Sequence, residues 1–206
     1  MKQKPSVLVV DVSAPWEDVL KDQERGYSIE WDFSKGEFKV GKPYTMTQIY
    51  YPHGSLRAGL NAIADTVYIA RNLKSTIYAV DMYDSWSDLD SSEEGACRMI
   101  RPYVPDENVF MKGSYSAFGY KKFASRIEQE NCKHMVIIGY DRDYCVLETI
   151  KDAVARGIKV VTSEHAMLTT NKCWSSTREQ SLEYYRKNTL FLENLVDLYN
   201  YFYKFK

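Results

Sequence analysis

Residues 135–162 read MVIIGYDRDYCVLETIKDAVARGIKVVT, and this stretch decides the fold. Met135 to Ile138 is a short apolar run that stops at Gly139, and Ile158 to Thr162 is another that stops at Ser163. Apolarity that is continuous rather than alternating, and rich in Val and Ile, marks strands buried on both faces. Between the two runs, Val146, Leu147, Ile150, Ala153 and Val154 recur with the 3.6-residue period of a helix, and Gly157 follows as its C-terminal stop. Strand, helix and strand in this order make a parallel crossover unit.

The same grammar extends outward in both directions. Val7 to Val10 ends at Asp11, Thr76 to Val80 at Asp81, and Val109 to Met111 at Lys112, which gives three further buried strands. Ser55 is placed to cap a helix carrying Leu56, Leu60, Ile63, Ala64 and Val67 on one face. Ser91 with Glu94 forms a capping box ahead of Cys97 and Ile100, and Phe123 and Ile127 mark another helix. Thr189 to Leu192 reads as a last strand, followed by a helix with Leu195, Leu198, Tyr199 and Phe202 on one side. One stretch breaks the alternation: residues 27–42, YSIEWDFSKGEFKVGK, alternate apolar and charged side chains about Ser34-Lys35-Gly36, the pattern of a β-hairpin inserted after the first strand and standing over one sheet edge. The expected fold is therefore α/β: a Rossmann-like, three-layer, doubly wound parallel sheet of about six strands with an inserted hairpin, forming one domain over residues 1–206.

Composition narrows the function classes. The chain has 206 residues, 45% hydrophobic and 27% charged, so it can bury a core without disulfides or metals. Twenty-seven Lys and Arg against 28 Asp and Glu leave a formal charge of −1, which argues against an electrostatic grip on nucleic acid. No apolar run approaches the roughly 18 residues a spanning helix needs, and the stretch before Asp11 is too short for a secretory leader. Cys97, Cys132, Cys145 and Cys173 lack metal-finger spacing and read as reduced thiols of a cytoplasmic protein. Gly36 to Pro43 nearly spells a phosphate-binding loop, but Pro43 stands where the Mg²⁺-binding hydroxyl is needed and no buried strand precedes it. The dinucleotide fingerprint G-x-G-x-x-G is absent, so no nicotinamide cofactor is expected.

Ligands of such sheets bind beyond the carboxyl ends of the strands. Asp11, Asp81, Lys112 and the loop from Gly139 to Cys145 all fall there. Singly, each has a plain structural reading: a cap, an ion-paired lysine, a small buried cysteine. Together, a carboxylate, an ammonium and a thiol at the start of a helix are the parts of an activated nucleophile. The ammonium and the helix N-terminus would lower the thiol pKa, and the carboxylate would move its proton.

Three blocks carry a family resemblance: VLVVDV ending at Asp11; VFMKGSYSAF, with Lys112 followed by Ser116-Ala117-Phe118; and the opening stretch through Gly139, Asp143, Cys145, Val146, Thr149, Asp152-Ala153 and Gly157. In these the chain resembles the isochorismatase-like cysteine hydrolases, the group of the nicotinamidases and N-carbamoylsarcosine amidase. The resemblance implies a catalytic triad of Asp11 as proton shuttle, Lys112 as charge support and Cys145 as nucleophile. It also implies a cis peptide joining Tyr140 to Asp141, an oxyanion hole made by the backbone N–H groups of Asp141 and Cys145, and a homo-oligomer. The chain departs from the family at Ser13, Asp141 and Arg142, where Gln, a small apolar residue and Thr are usual. The metal-binding Asp-x-His of nicotinamidases is also missing: the stretch reads Asp81-Met82-Tyr83-Asp84-Ser85-Trp86, and His53, His134 and His165 are not spaced to replace it, so no metal or other cofactor is expected. Isochorismatases proper carry glycine where Cys145 stands, which favours thiol chemistry.

The expected function is thus metal-independent hydrolysis of an amide or carbamoyl C–N bond in a small molecule, through a covalent thioester. Two alternatives stay open: a catalytically impaired member that binds small molecules or scaffolds, and isochorismatase-type hydrolysis that needs no thiol. Trp16, Tyr83, Trp86, Tyr115, Tyr140 and Arg142 lie in rim loops and are candidates for substrate contact, Arg142 toward an anionic group; the aromatics would equally suit a subunit interface.

Overall fold

The computed structural model describes residues 4–12, 28–32, 37–41, 49–82, 99–170 and 176–206. Six strands form one parallel sheet: β1 (Ser6–Val10), β5 (Ile77–Met82), β6 (Val109–Lys112), β7 (His134–Gly139), β8 (Lys159–Thr162) and β10 (Leu190–Phe191). Their spatial order is β10-β8-β7-β1-β5-β6. Every apolar run read from the sequence is one of these strands, and the reason is burial. Along β1, Val7 and Val9 face one core while Leu8 and Val10 face the other, all essentially without solvent contact.

Helices cover both faces. On the first, α1 (Leu56–Asn72) and the C-terminal α5 (Leu195–Tyr203) pack Leu60, Ile63, Val67, Leu198 and Phe202 against the sheet. On the second, α2 (Lys121–Gln129), α3 (Cys145–Ala155) and α4 (Ser176–Asn188) contribute Phe123, Ile127, Val146, Ile150, Leu182 and Tyr185. Burying each such side chain is worth about 1.5–3 kcal/mol, which is why the apolar stripes rather than intrinsic propensity fix the helices. Ser55 caps α1, its Oγ accepting from the Ala58 N–H at 3.2 Å. Gly157 follows α3 at φ 74°, the left-handed conformation that a helix stop favours.

The inserted segment is β2 (Ser28–Asp32) paired antiparallel with β3 (Glu37–Gly41), from Ser28 opposite Gly41 to Asp32 opposite Glu37. The turn between them and the capping box at Ser91 lie outside the described residues. Two features have no counterpart in the sequence reading. A two-residue pair, β4 (Ile49–Tyr50) with β9 (Thr169–Thr170), joins segments far apart in the chain, Ile49 opposite Thr170 and Tyr50 opposite Thr169. Helix α4 was hidden because its sequence, STREQSLEYYRKN, is polar nearly all round; Leu182 and Tyr185 anchor it.

The sheet order places the site. From β1 the chain moves outward to β5 and β6, then returns to the other side of β1 to lay down β7, β8 and β10. The strand order therefore reverses between β1 and β7, and the crevice beyond their carboxyl ends is where such sheets take ligands.

Candidate active site

Asp11 follows β1 at the reversal, with φ 51°, and its N–H donates to the Val80 carbonyl at 2.9 Å. A left-handed residue here turns the chain sharply off the strand; Asp tolerates that region better than most side chains. Lys112 ends β6 two strands away, yet its Nζ reaches back to 2.9 Å from Asp11 Oδ2 and donates to the Ser114 carbonyl at 3.0 Å. Cys145 is the first residue of α3, and its thiol lies within electrostatic reach of both Asp11 and Lys112. The three residues expected together from sequence are therefore gathered at one buried point, at 8%, 0% and 6% exposure.

The electrostatics differ from the sequence expectation in one respect. Burial pushes the Cys145 thiol well above its usual range, and the Asp11 carboxylate adds to this, outweighing the opposing pull of Lys112. Both effects favour the protonated thiol over a standing thiolate. A carboxylate already held by an ammonium lies beside it.

The loop carrying Cys145 is pinned at several points. Gly139 sits at φ 128°, and a Cβ there would lie 2.2 Å from the Val10 carbonyl oxygen, so only glycine lets β7 pass this close to β1. Tyr140 N–H donates to that same carbonyl at 2.8 Å. The Tyr140–Asp141 peptide is cis. The Asp141 carbonyl accepts from the N–H groups of Tyr144 and Val146, and Asp141 Oδ1 accepts from the Asp143 N–H at 3.1 Å. On the far side, Ser116 Oγ donates to Asp152 Oδ2 at 2.6 Å, and the Ala117 N–H donates to Thr149 Oγ1 at 3.0 Å. The motif residues Ser116, Thr149 and Asp152 thus lock the loop after β6 to α3, fixing Lys112 relative to Cys145.

Arg142 is placed differently from the rim clamp expected of it. Its side chain is 2% exposed and turned inward, forked onto Asp143 (Nε to Oδ1 3.0 Å, Nη2 to Oδ2 2.7 Å), with Nη1 bonded to Glu164. Thr169 Oγ1 lies 2.8 Å from Asp143 Oδ2, Arg178 supports Glu164 at 3.2 Å, and the Tyr185 hydroxyl donates to the Arg142 carbonyl. Glu164, Thr169 and Tyr185 were missed from the sequence. The available signal was that Glu164 stands directly behind the polar stop at Ser163, at the end of an adjacent strand.

Of the remaining candidates, Tyr140 is half-buried against the core on the α1 side. Tyr115 is exposed and pairs with Tyr144, their ring centroids 6.2 Å apart. Tyr144, immediately before Cys145, was not singled out by sequence. Trp16, Tyr83 and Trp86 lie outside the described residues, as do Ser13, Cys97 and Cys173. His53 and His165 stack at 3.5 Å, and His134 bonds to the Tyr201 hydroxyl, so none of the histidines joins the Asp11 cluster. Among the described residues no group of three or more His, Cys, Asp or Glu is arranged to hold a metal ion, and no helix is long and apolar enough to cross a membrane.

No curated protein matches the chain in sequence. Solved structures match it in fold. A Burkholderia xenovorans LB400 protein assigned as an isochorismatase superposes with a TM-score of 0.70 at 15% identity, over 99% of this chain and 90% of that one. The pyrazinamidase/nicotinamidase of Streptococcus mutans UA159 does so at 0.61 and 17%, over 91% and 99%. The YcaC gene product of Escherichia coli, described as an octameric hydrolase of unknown specificity, gives 0.60 and 14%, over 92% and 75%. The isochorismatase domain profile matches residues 52–191, a span that includes Lys112 and Cys145. With that match over most of its length, on a six-stranded sheet of matching fold, the chain belongs to the isochorismatase family.

Proposed function

We propose that the protein is a thiol-dependent hydrolase that cleaves an amide or carbamoyl C–N bond in a small molecule. The observation that carries this reading is the burial of the Cys145 thiol within electrostatic reach of the Asp11–Lys112 ion pair at the sheet's reversal point. A weakly acidic thiol needs a base at hydrogen-bond distance, and Asp11 is that base. In the first half-reaction Asp11 takes the Sγ proton as sulfur forms a bond to the carbonyl carbon. Lys112 offsets the negative charge that remains in the pocket, and the backbone N–H groups of Asp141 and Cys145 receive the developing oxyanion. Asp11 then returns the proton to nitrogen, the C–N bond breaks, and the amine leaves a thioester on Cys145. Water adds to the thioester with Asp11 taking its proton; the C–S bond breaks and sulfur regains that proton, releasing the acid. The side chains of Asp11, Lys112 and Cys145 complete both halves without a metal or organic cofactor. The amidase named among the structural neighbours uses a substrate of this bond type, and the octameric neighbour is the basis for proposing self-association here.

The test is a screen of small amides and carbamoyl compounds with wild type, Cys145→Ala and Asp11→Asn. Turnover that disappears in both variants, with a thioester adduct on Cys145 trapped by mass spectrometry, is the expected result. Undiminished turnover in Cys145→Ala overturns the thiol mechanism in favour of hydrolysis of the isochorismatase type.

A further inference from the structure

A second carboxyl lies in this site and has no role in the mechanism just described. Asp81 is on β5, the strand between Asp11's β1 and Lys112's β6. Val80 pairs with Val10 and Met82 with Lys112, so Asp11, Asp81 and Lys112 end three neighbouring parallel strands in near register. Asp81 is 2% exposed. The groups that face it are Asp11 from β1, with the Val12 N–H donating to its carboxyl, and Lys112 from β6; the Cys145 thiol from α3 closes the cluster through Asp11 and Lys112.

The charge count is decisive. Two ionised carboxyls, one ammonium and one thiol would leave an uncompensated negative charge in a water-poor pocket, which is costly. Holding one proton on a carboxyl makes the cluster neutral, as when two acids share a site. The geometry says which acid keeps it. Asp11 has the Lys112 ammonium at 2.9 Å, the contact that favours the ionised form. Asp81 has one backbone N–H, and its Oδ2 is buried without a hydrogen-bond partner among the described residues. We infer that Asp81 is a proton-holding positioning residue: it stays neutral while Asp11 is ionised, so that the whole charge of Lys112 serves Asp11 and the thiol. Burial and the neighbouring Asp11 push its carboxyl up to about 8, in keeping with this.

The inference rests on the thiol-hydrolase reading for its consequence in turnover. The proton on Asp81 does not move during the reaction; the moving proton passes between Sγ and Asp11. When Asp81 ionises at alkaline pH, a second negative charge lies beside the thiolate and the oxyanion as they form, and the rate falls. The profile of kcat/KM therefore has an alkaline limb with its midpoint near 8, and Asp81→Asn, which keeps the neutral shape, removes that limb.

The direct test needs no substrate. The full chain is labelled with ¹³C at the aspartate carboxyl and titrated by NMR from pH 4 to 10. One aspartate signal titrating near pH 8 in wild type and missing from Asp81→Asn is expected. Asp81→Glu, which moves the group to an unlabelled residue type, assigns the signal equally if the Asn variant does not fold. An alkaline signal that persists in these variants, or a wild type in which every aspartate titrates below about pH 6, overturns the inference. Failure of the thiol reading is distinguishable, because it is seen as turnover retained in Cys145→Ala and leaves the carboxyl titration as it was.

Discussion

Arg142→Met tests the inward turn of the loop from Gly139 to Cys145. The guanidinium makes two parallel bonds to Asp143 and one to Glu164, at 2% exposure. The two carboxylates do not suffer equally when it is removed. Glu164 retains Arg178 at 3.2 Å and His53 Nε2 at 3.3 Å. Asp143, whose side chain is wholly buried, keeps the Thr169 hydroxyl and its own loop contacts but no cation. Removing one partner of a buried, hydrogen-bonded pair costs about 3–5 kcal/mol. For a chain of this length that corresponds to a Tm lower by about 6–20 °C, read by calorimetry at neutral pH. The carboxylate left behind is the cause, so Arg142→Met combined with Asp143→Asn recovers part of the loss, and the cycle yields a coupling energy of about 1–3 kcal/mol. Arg142→Lys falls between, because an ammonium keeps the charge and loses the fork. A variant within about 1 kcal/mol of wild type, with binding of anionic ligands selectively weakened, would refute the reasoning and put the guanidinium at the rim.

Three further outcomes follow from the same contacts. Gly139→Ala lowers stability by about 3 kcal/mol or more in urea unfolding, since the new Cβ meets the Val10 carbonyl at 2.2 Å and its nitrogen at 2.7 Å, both backbone atoms that cannot step aside. Asp11→Asn makes Cys145 alkylate faster with iodoacetamide near neutral pH while turnover is lost. The carboxylate is one of the two causes that raise the thiol, and removing it leaves Lys112 unopposed, so slower alkylation in the variant would contradict this. Asp81→Asn gains stability relative to wild type as pH rises from about 4 to about 8, and no further beyond. An acid held above its unfolded value binds more protons folded than unfolded across that window, so wild-type stability declines there. Parallel stability curves for the two proteins would show that Asp81 ionises normally.

The fold was legible because its information is local. Val7 to Val10 or Met135 to Ile138 need no knowledge of neighbours to be read as strands buried on both faces, and the stripe from Val146 to Val154 reads as a helix by period alone. The meeting of Asp11, Lys112 and Cys145 was legible for a related reason: each stands directly after, or one loop beyond, an apolar run. What stayed hidden depends on which strands lie side by side. Arg142 read as a rim residue because its partner Glu164 is 22 positions away, behind β8, and because the direction of a side chain in a loop has no periodicity to reveal it. Asp81 looked like one more strand-end acid. It differs from Asp11 only because β5 runs between β1 and β6, so that a lysine from the far strand reaches across to one carboxyl and leaves the other a single backbone N–H. Exchange those neighbours and the same three residue types would ionise differently. The protonation pattern of this site is therefore a property of sheet order, and the motif that identifies the family does not contain it.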